Sequence, residues 1–167
     1  MDRKTEMQTS DLTSRMLAYQ HLRDFNMDEA VDWATEMLML DYESSSLAIL
    51  AGLTKPTNFF EAETYLLASL NELNITLPEK HESIVGYCRT YIEKLAKSVD
   101  VKSNLEGLYS IGQSFDYEEP IFDFFLLYWA WEDLDYRDTY THYVQDVTKD
   151  NIETVVIRKA VEWLKMN

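Results

Sequence analysis

Apolar residues along this chain recur at helical intervals almost throughout. Leu12, Met16, Tyr19, Leu22 and Phe25 are spaced 4, 3, 3 and 3, which predicts a helix over 10–25. Asn26 followed by Glu29 has the form of a capping box and predicts a second helix to about Leu40, with Met27, Ala30, Val31, Ala34, Met37 and Leu38 on one face. The DYESSS stretch from Asp41 reads as a loop whose Ser46 caps a short apolar helix ended by Gly52. A turn at Lys55-Pro56-Thr57 leads to a second box, Asn58 with Glu61, and a helix to about Asn74. Pro78 opens a helix carrying Ile84, Val85, Tyr87, Cys88, Tyr91, Ile92 and Leu95. Ser103 with Glu106 opens the next, to about Phe115. Asp150 with Glu153 opens the last, whose apolar positions run from Ile152 to Trp163.

One stretch breaks the amphipathic pattern. From Ile121 to Trp131 ten of eleven residues are apolar or aromatic, the exception being Asp123. A surface helix would show polar positions every third or fourth residue. This one predicts a helix over about 119–134 buried on nearly every side, with the rest of the chain wrapped around it. The expected fold is all-α: a single-domain irregular bundle of about eight helices over 10–167, with residues 1–9 as a polar, disordered N-terminus.

Composition supports that picture. Only four Gly and three Pro occur in 167 residues, few for a turn-rich fold. A chain of this length buries roughly 70% of the surface its unfolded form exposes, so it needs no staple. The lone cysteine, Cys88, permits no internal disulfide and fits a reducing compartment. The N-terminal stretch MDRKTEMQTSDLTSR has no apolar core of a signal peptide, and the longest apolar run is too short to span a bilayer. A cytoplasmic protein is expected.

Charge narrows the partners. The net charge is −15, and between Phe115 and Val147 nine acids face one base, Arg137. Such a field repels nucleic-acid backbone and anionic membrane and attracts basic proteins. The plain alternative is that the acids only keep the protein in solution. The densest group, Glu132, Asp133, Asp135, Asp138 and Asp146, is the candidate surface for a basic partner. Glu132, Asp135 and His142 are also the candidate ligands of a divalent metal, since carboxylates with an imidazole suit Mg²⁺ or Mn²⁺. Against that reading, the chain has no Glu-x-x-His pair and no His-Glu-x-x-His. No cofactor is expected.

Other chemistry finds little footing. Asp123 inside an apolar run is costly unless it is paired or hydrogen-bonded: it faces a polar edge, pairs with a Lys or Arg from another helix, or sits in a pocket that tunes it. Cys88 lies on an apolar stripe and reads as a core thiol. His21 and His81 fall on polar helix faces. Gly107 and Gly112 each cost their helix about 1 kcal/mol relative to Ala, and close approach of another helix is the compensating gain. No phosphate-binding glycine loop and no nucleophile elbow is present.

The segments Glu29–Leu70, Leu126–Tyr136 (LLYWAWEDLDY) and Asp146–Leu164 together resemble a group of small, acidic, all-helical bacterial proteins without an assigned activity, which are similar to immunity proteins of bacterial toxin systems. That resemblance implies a non-enzymatic inhibitor of a basic toxin and carries no functional residue across. A metal-dependent enzyme and a self-associating structural protein are the alternatives.

Overall fold

The computed structural model describes residues 8–115, 121–137 and 140–167. It is all-helical, with no strand among the described residues. Eight α-helices follow in order: α1 Thr13–Ala18, α2 Asp28–Met39, α3 Ser45–Ala51, α4 Phe59–Glu72, α5 Lys80–Ala96, α6 Val101–Ser114, α7 Phe122–Arg137 and α8 Ile152–Met166. The chain divides into two compact units, Met1–Ser83 and Ile84–Asn167. None of the described helices is long and apolar enough to cross a membrane.

The first unit builds its core from its own helices. Met16, Val31, Trp33, Ala34, Met37, Leu47, Leu50, Ala62, Leu66 and Leu70 are buried together. Trp33, which lies off the periodic stripe of α2, is fully enclosed because Thr13 Oγ1 accepts its indole N–H at 3.0 Å. Burying the ring is favourable only when that donor is satisfied. The first helix is shorter than its periodicity suggests. It tightens into a 3-10 turn at Tyr19–His21 and stops at an extended Leu22.

Caps explain several boundaries. Asn58 Oδ1 accepts the Glu61 N–H at 3.1 Å, as the capping-box reading of α4 requires. At α2 the box is half formed: Glu29 accepts the Asn26 N–H at 3.3 Å, while Asn26 Oδ1 takes the N–H of Asp28. At α3 the cap is Ser44, whose Oγ accepts the Leu47 N–H at 3.1 Å. Ser46, the expected cap, instead lies inside the helix and donates to Glu72 at 2.6 Å. Glu72 also takes the Ser46 N–H at 3.1 Å and the Ser44 hydroxyl, which brings a carboxylate to the positive end of α3. These hydrogen bonds, that of Ser44 foremost, hold its carboxyl below the usual glutamate range. The two remaining boxes do not cap. α6 begins two residues before Ser103, after Asp100, and α8 begins after Asn151 rather than Asp150.

A glycine-poor chain must end its helices by other means. Asp41, Asn74 and Ser98 adopt φ of 63°, 56° and 58° just past α2, α4 and α5. The next residue in each case returns its N–H to the helix: Tyr42 to Met37, Ile75 to Leu70 and Val99 to Lys94, at 2.8–3.1 Å. These are Schellman closures with Asp, Asn and Ser in the left-handed position that glycine usually fills.

The second unit holds α6, α7 and α8 and most of α5. Gly107 of α6 lies against the ring of Tyr91 of α5, and a Cβ placed there would come within 2.2 Å of Tyr91 Cε1. This is the close approach that a mid-helix glycine predicts. The aromatic-rich helix α7 runs on past 134 to Arg137. It is less enclosed than its composition suggests. Phe124, Leu127, Ala130 and Leu134 form one buried stripe at intervals of 3, 3 and 4, while Phe125, Leu126, Tyr128, Trp129 and Trp131 are half-buried and Phe122 and Tyr136 exposed.

Candidate acidic and aromatic binding face

The acidic residues singled out by sequence fall at and beyond the C-terminal half of α7. Glu132 and Asp135 lie three apart and so share a face. Both meet the ammonium of Lys102 near the start of α6, at 3.1 and 2.6 Å. The three side chains are each about half exposed, so this pairing contributes on the order of 0.5 kcal/mol rather than several. Asp135, then Glu132, holds the Lys102 pKa above its ordinary value. One cation thus draws two carboxylates together and leaves the group a net negative charge.

Asp133 sits about 100° around the helix from Glu132 and is half-buried. Asp138 lies outside the described residues. Asp146 is exposed and marks a bend with φ 58°, where its backbone carbonyl accepts from Asn151 Nδ2 at 3.1 Å. His142 packs edge-on to Tyr140, ring centres 4.9 Å apart. It does not join Glu132 and Asp135, and among the described residues no group of three His, Cys, Asp or Glu is placed to hold a metal ion. The three candidate ligands are therefore not brought together. The two carboxylates are already bridged by Lys102, and the imidazole lies in the segment after α7 beside a tyrosine.

Sequence reasoning did not single out the tyrosines as site residues. Tyr136 is 89% exposed, and Tyr140 and Tyr143 are about half exposed. An exposed tyrosine beside Asp135 adds nothing to the core and offers aromatic contact area to a partner. Behind them lies an ordered aromatic array. Tyr109 of α6 stacks on Tyr128 at 4.1 Å with 16° between the planes and meets Trp129 edge-on at 5.6 Å. Trp129 in turn stacks on Tyr143 at 6.2 Å, which ties the segment following α7 to that helix. Burial, then the Glu132 carboxylate, raises the pKa of the Tyr128 phenol. The available signal was the density of tyrosine after Leu134. Which of those tyrosines face water is not a property of spacing.

Asp123 pairs with Lys159 of α8 at 2.6 Å and is itself more than half exposed, so it lies at a polar edge of α7. The pair belongs to the lining of a groove of about 530 Å³ formed by α7, α8 and Tyr143, Val144 and Gln145 of the segment between them. Cys88 is buried on α5 and its thiol is pushed up to about 12 by that burial, so it is no nucleophile at neutral pH.

The fold and this face together define an all-helical acidic protein with exposed tyrosines among carboxylates. The chain matches no family model, no curated protein and no solved structure.

Proposed function

We propose that this protein is a non-enzymatic binding module that takes up a basic protein through the face at the C-terminal end of α7. The observation that carries the reading is Tyr136, 89% exposed and adjacent in sequence to Asp135. Tyrosine supplies large, stiff contact area and is over-represented among the residues that dominate binding energy. A guanidinium arriving here would pair with a carboxylate and stack on a phenol ring at once. The surrounding charge, most of it within 115–147, accelerates association with a cationic surface and repels nucleic acid. A bacterial toxin whose phosphate-binding surface is basic is the sharpest form of this partner, in keeping with the resemblance to immunity proteins. A cytoplasmic setting accords with a single buried thiol.

The test is capture by the tagged wild-type protein and by an Asp135→Lys, Tyr136→Ala double variant, at low and high salt. Both side chains are exposed, so the variant keeps the fold, which circular dichroism checks. The expected result is a basic protein retained by the wild type at low salt, weakened at high salt and lost from the variant. Equal capture by both proteins, or capture indifferent to salt, would overturn the proposal.

A further inference from the structure

A groove of about 330 Å³ opens in the first unit between the turn that follows α1 and the start of α4. Tyr19, Gln20, Leu22, Phe25, Phe59 and Glu63 line it, and of these six Glu63 alone is charged. Glu63 is half-buried, and its Oε1 accepts the Tyr19 hydroxyl at 2.7 Å. Gln20 Nε2 donates in turn to the Tyr19 oxygen at 3.1 Å. Burial, then the bond to Glu63, pushes the Tyr19 phenol up to about 12, so it remains a donor at neutral pH. No ion pair reaches Glu63 among the described residues, so its charge is fixed in place and left unmatched. Phe25, half-buried, and Phe59, 46% exposed, bring aromatic carbon to the same groove. The Arg15 guanidinium lies 5.7 Å from the Phe25 ring centre, but Glu29 meets its charge, with Nη2 to Oε1 at 2.9 Å. Glu63 therefore sets the sign of the groove.

We infer that this groove binds a trimethylammonium group of the kind that choline carries. A carboxylate beside aromatic carbon attracts a cation twice, through its charge and through the negative faces of the rings. Hydrogen bonding decides which cation. A primary ammonium brings three N–H donors and a guanidinium five, and each donor taken out of water needs an acceptor. Glu63 has already committed one oxygen to Tyr19. A trimethylammonium group has no N–H, so it enters without losing a hydrogen bond, and its methyl groups pack on Phe25 and Phe59. The volume lies at the small end of ligand sites, which suits a head group with a short tail. All six lining residues belong to the first unit, and none is part of the protein-binding face at α7.

The experiment is calorimetric titration of the full chain with choline. Ethanolamine keeps the charge and restores the N–H donors, while the neutral tert-butyl analogue of choline keeps the shape without the charge. Glu63→Gln removes the carboxylate charge and still offers Tyr19 an acceptor, and Phe59→Leu replaces a half-exposed ring with an aliphatic side chain. Circular dichroism checks that both variants fold. Choline is expected to bind at millimolar concentration, and ethanolamine more weakly. The neutral analogue is expected to lose about tenfold in affinity, Glu63→Gln about fivefold and Phe59→Leu about threefold. A peptide carrying trimethyllysine separates the two sources of the group: tighter binding than choline assigns it to a protein side chain, weaker binding to a free compound. Absence of heat with both choline and the peptide at millimolar concentration would overturn the inference. So would equal affinity for choline and its neutral analogue, or an affinity unchanged in both variants.

Discussion

Replacing Gly107 with alanine sets two effects against each other. Helix propensity favours alanine by about 1 kcal/mol, because glycine in a helix interior loses more backbone freedom on folding. Against it stands the ring of Tyr91. The new Cβ would lie 2.2 Å from Cε1 and 2.7 Å from Cδ1, closer than non-bonded carbons approach. The ring is not free to swing away without loss, since it packs edge-on to Tyr87 at 5.6 Å and carries the Lys94 ammonium 5.8 Å from its centre. Overpacking of this kind costs about 1–3 kcal/mol. The clash wins by about 1 kcal/mol, so Gly107→Ala is expected to lower the urea midpoint in the wild-type background. In a Tyr91→Ala background the obstruction is gone and only the propensity remains. There the same substitution is expected to raise stability by about 1 kcal/mol. The change of sign is the signature, read as a double-mutant cycle by far-ultraviolet circular dichroism in urea. A Gly107→Ala effect of the same sign and size in both backgrounds would refute the reasoning, because it would mean that Tyr91 is not what the glycine makes room for.

Two further outcomes follow from the first unit. Thr13→Val is expected to cost about 1–3 kcal/mol, because it leaves the fully buried Trp33 N–H without an acceptor, whereas Thr13→Ser should be nearly silent; chemical denaturation distinguishes them. Glu72 has a carboxyl held below its ordinary value, so the stability it contributes is present above the usual glutamate pKa and is lost as pH falls through the lowered folded-state value. Glu72→Gln should therefore be less stable than wild type at neutral pH and should show a flatter acid limb. Melting temperatures between about pH 3 and pH 7 test this, and parallel curves would count against it.

The sequence by itself determined the fold class and most of the helices. Spacing of 3 and 4 is imposed by the helix itself, so Met27, Ala30, Val31, Ala34 and Met37 announced the buried face of α2 without any tertiary information. Gly107 announced a close approach for the same local reason. The caps were legible where the competing side chains stay local, as at Asn58, and misleading where a distant group intervened. Ser46 was the expected cap of α3, but the helix begins at Ser45 with Ser44 as its cap, and Glu72, twenty-six residues beyond Ser46, accepts from both hydroxyls.

The site depended on distance in space rather than along the chain. Glu132, Asp135 and His142 have a metal-like spacing, yet Lys102, some thirty residues earlier, claims the two carboxylates. The aromatic run of α7 promised burial on every side. Packing enclosed one stripe, left most of its other aromatic positions half-buried and put Tyr136 in water. The physical reason is that backbone hydrogen bonding and periodicity act within a few residues, whereas desolvation and ion pairing depend on which helices come together. Only the packed structure decides that.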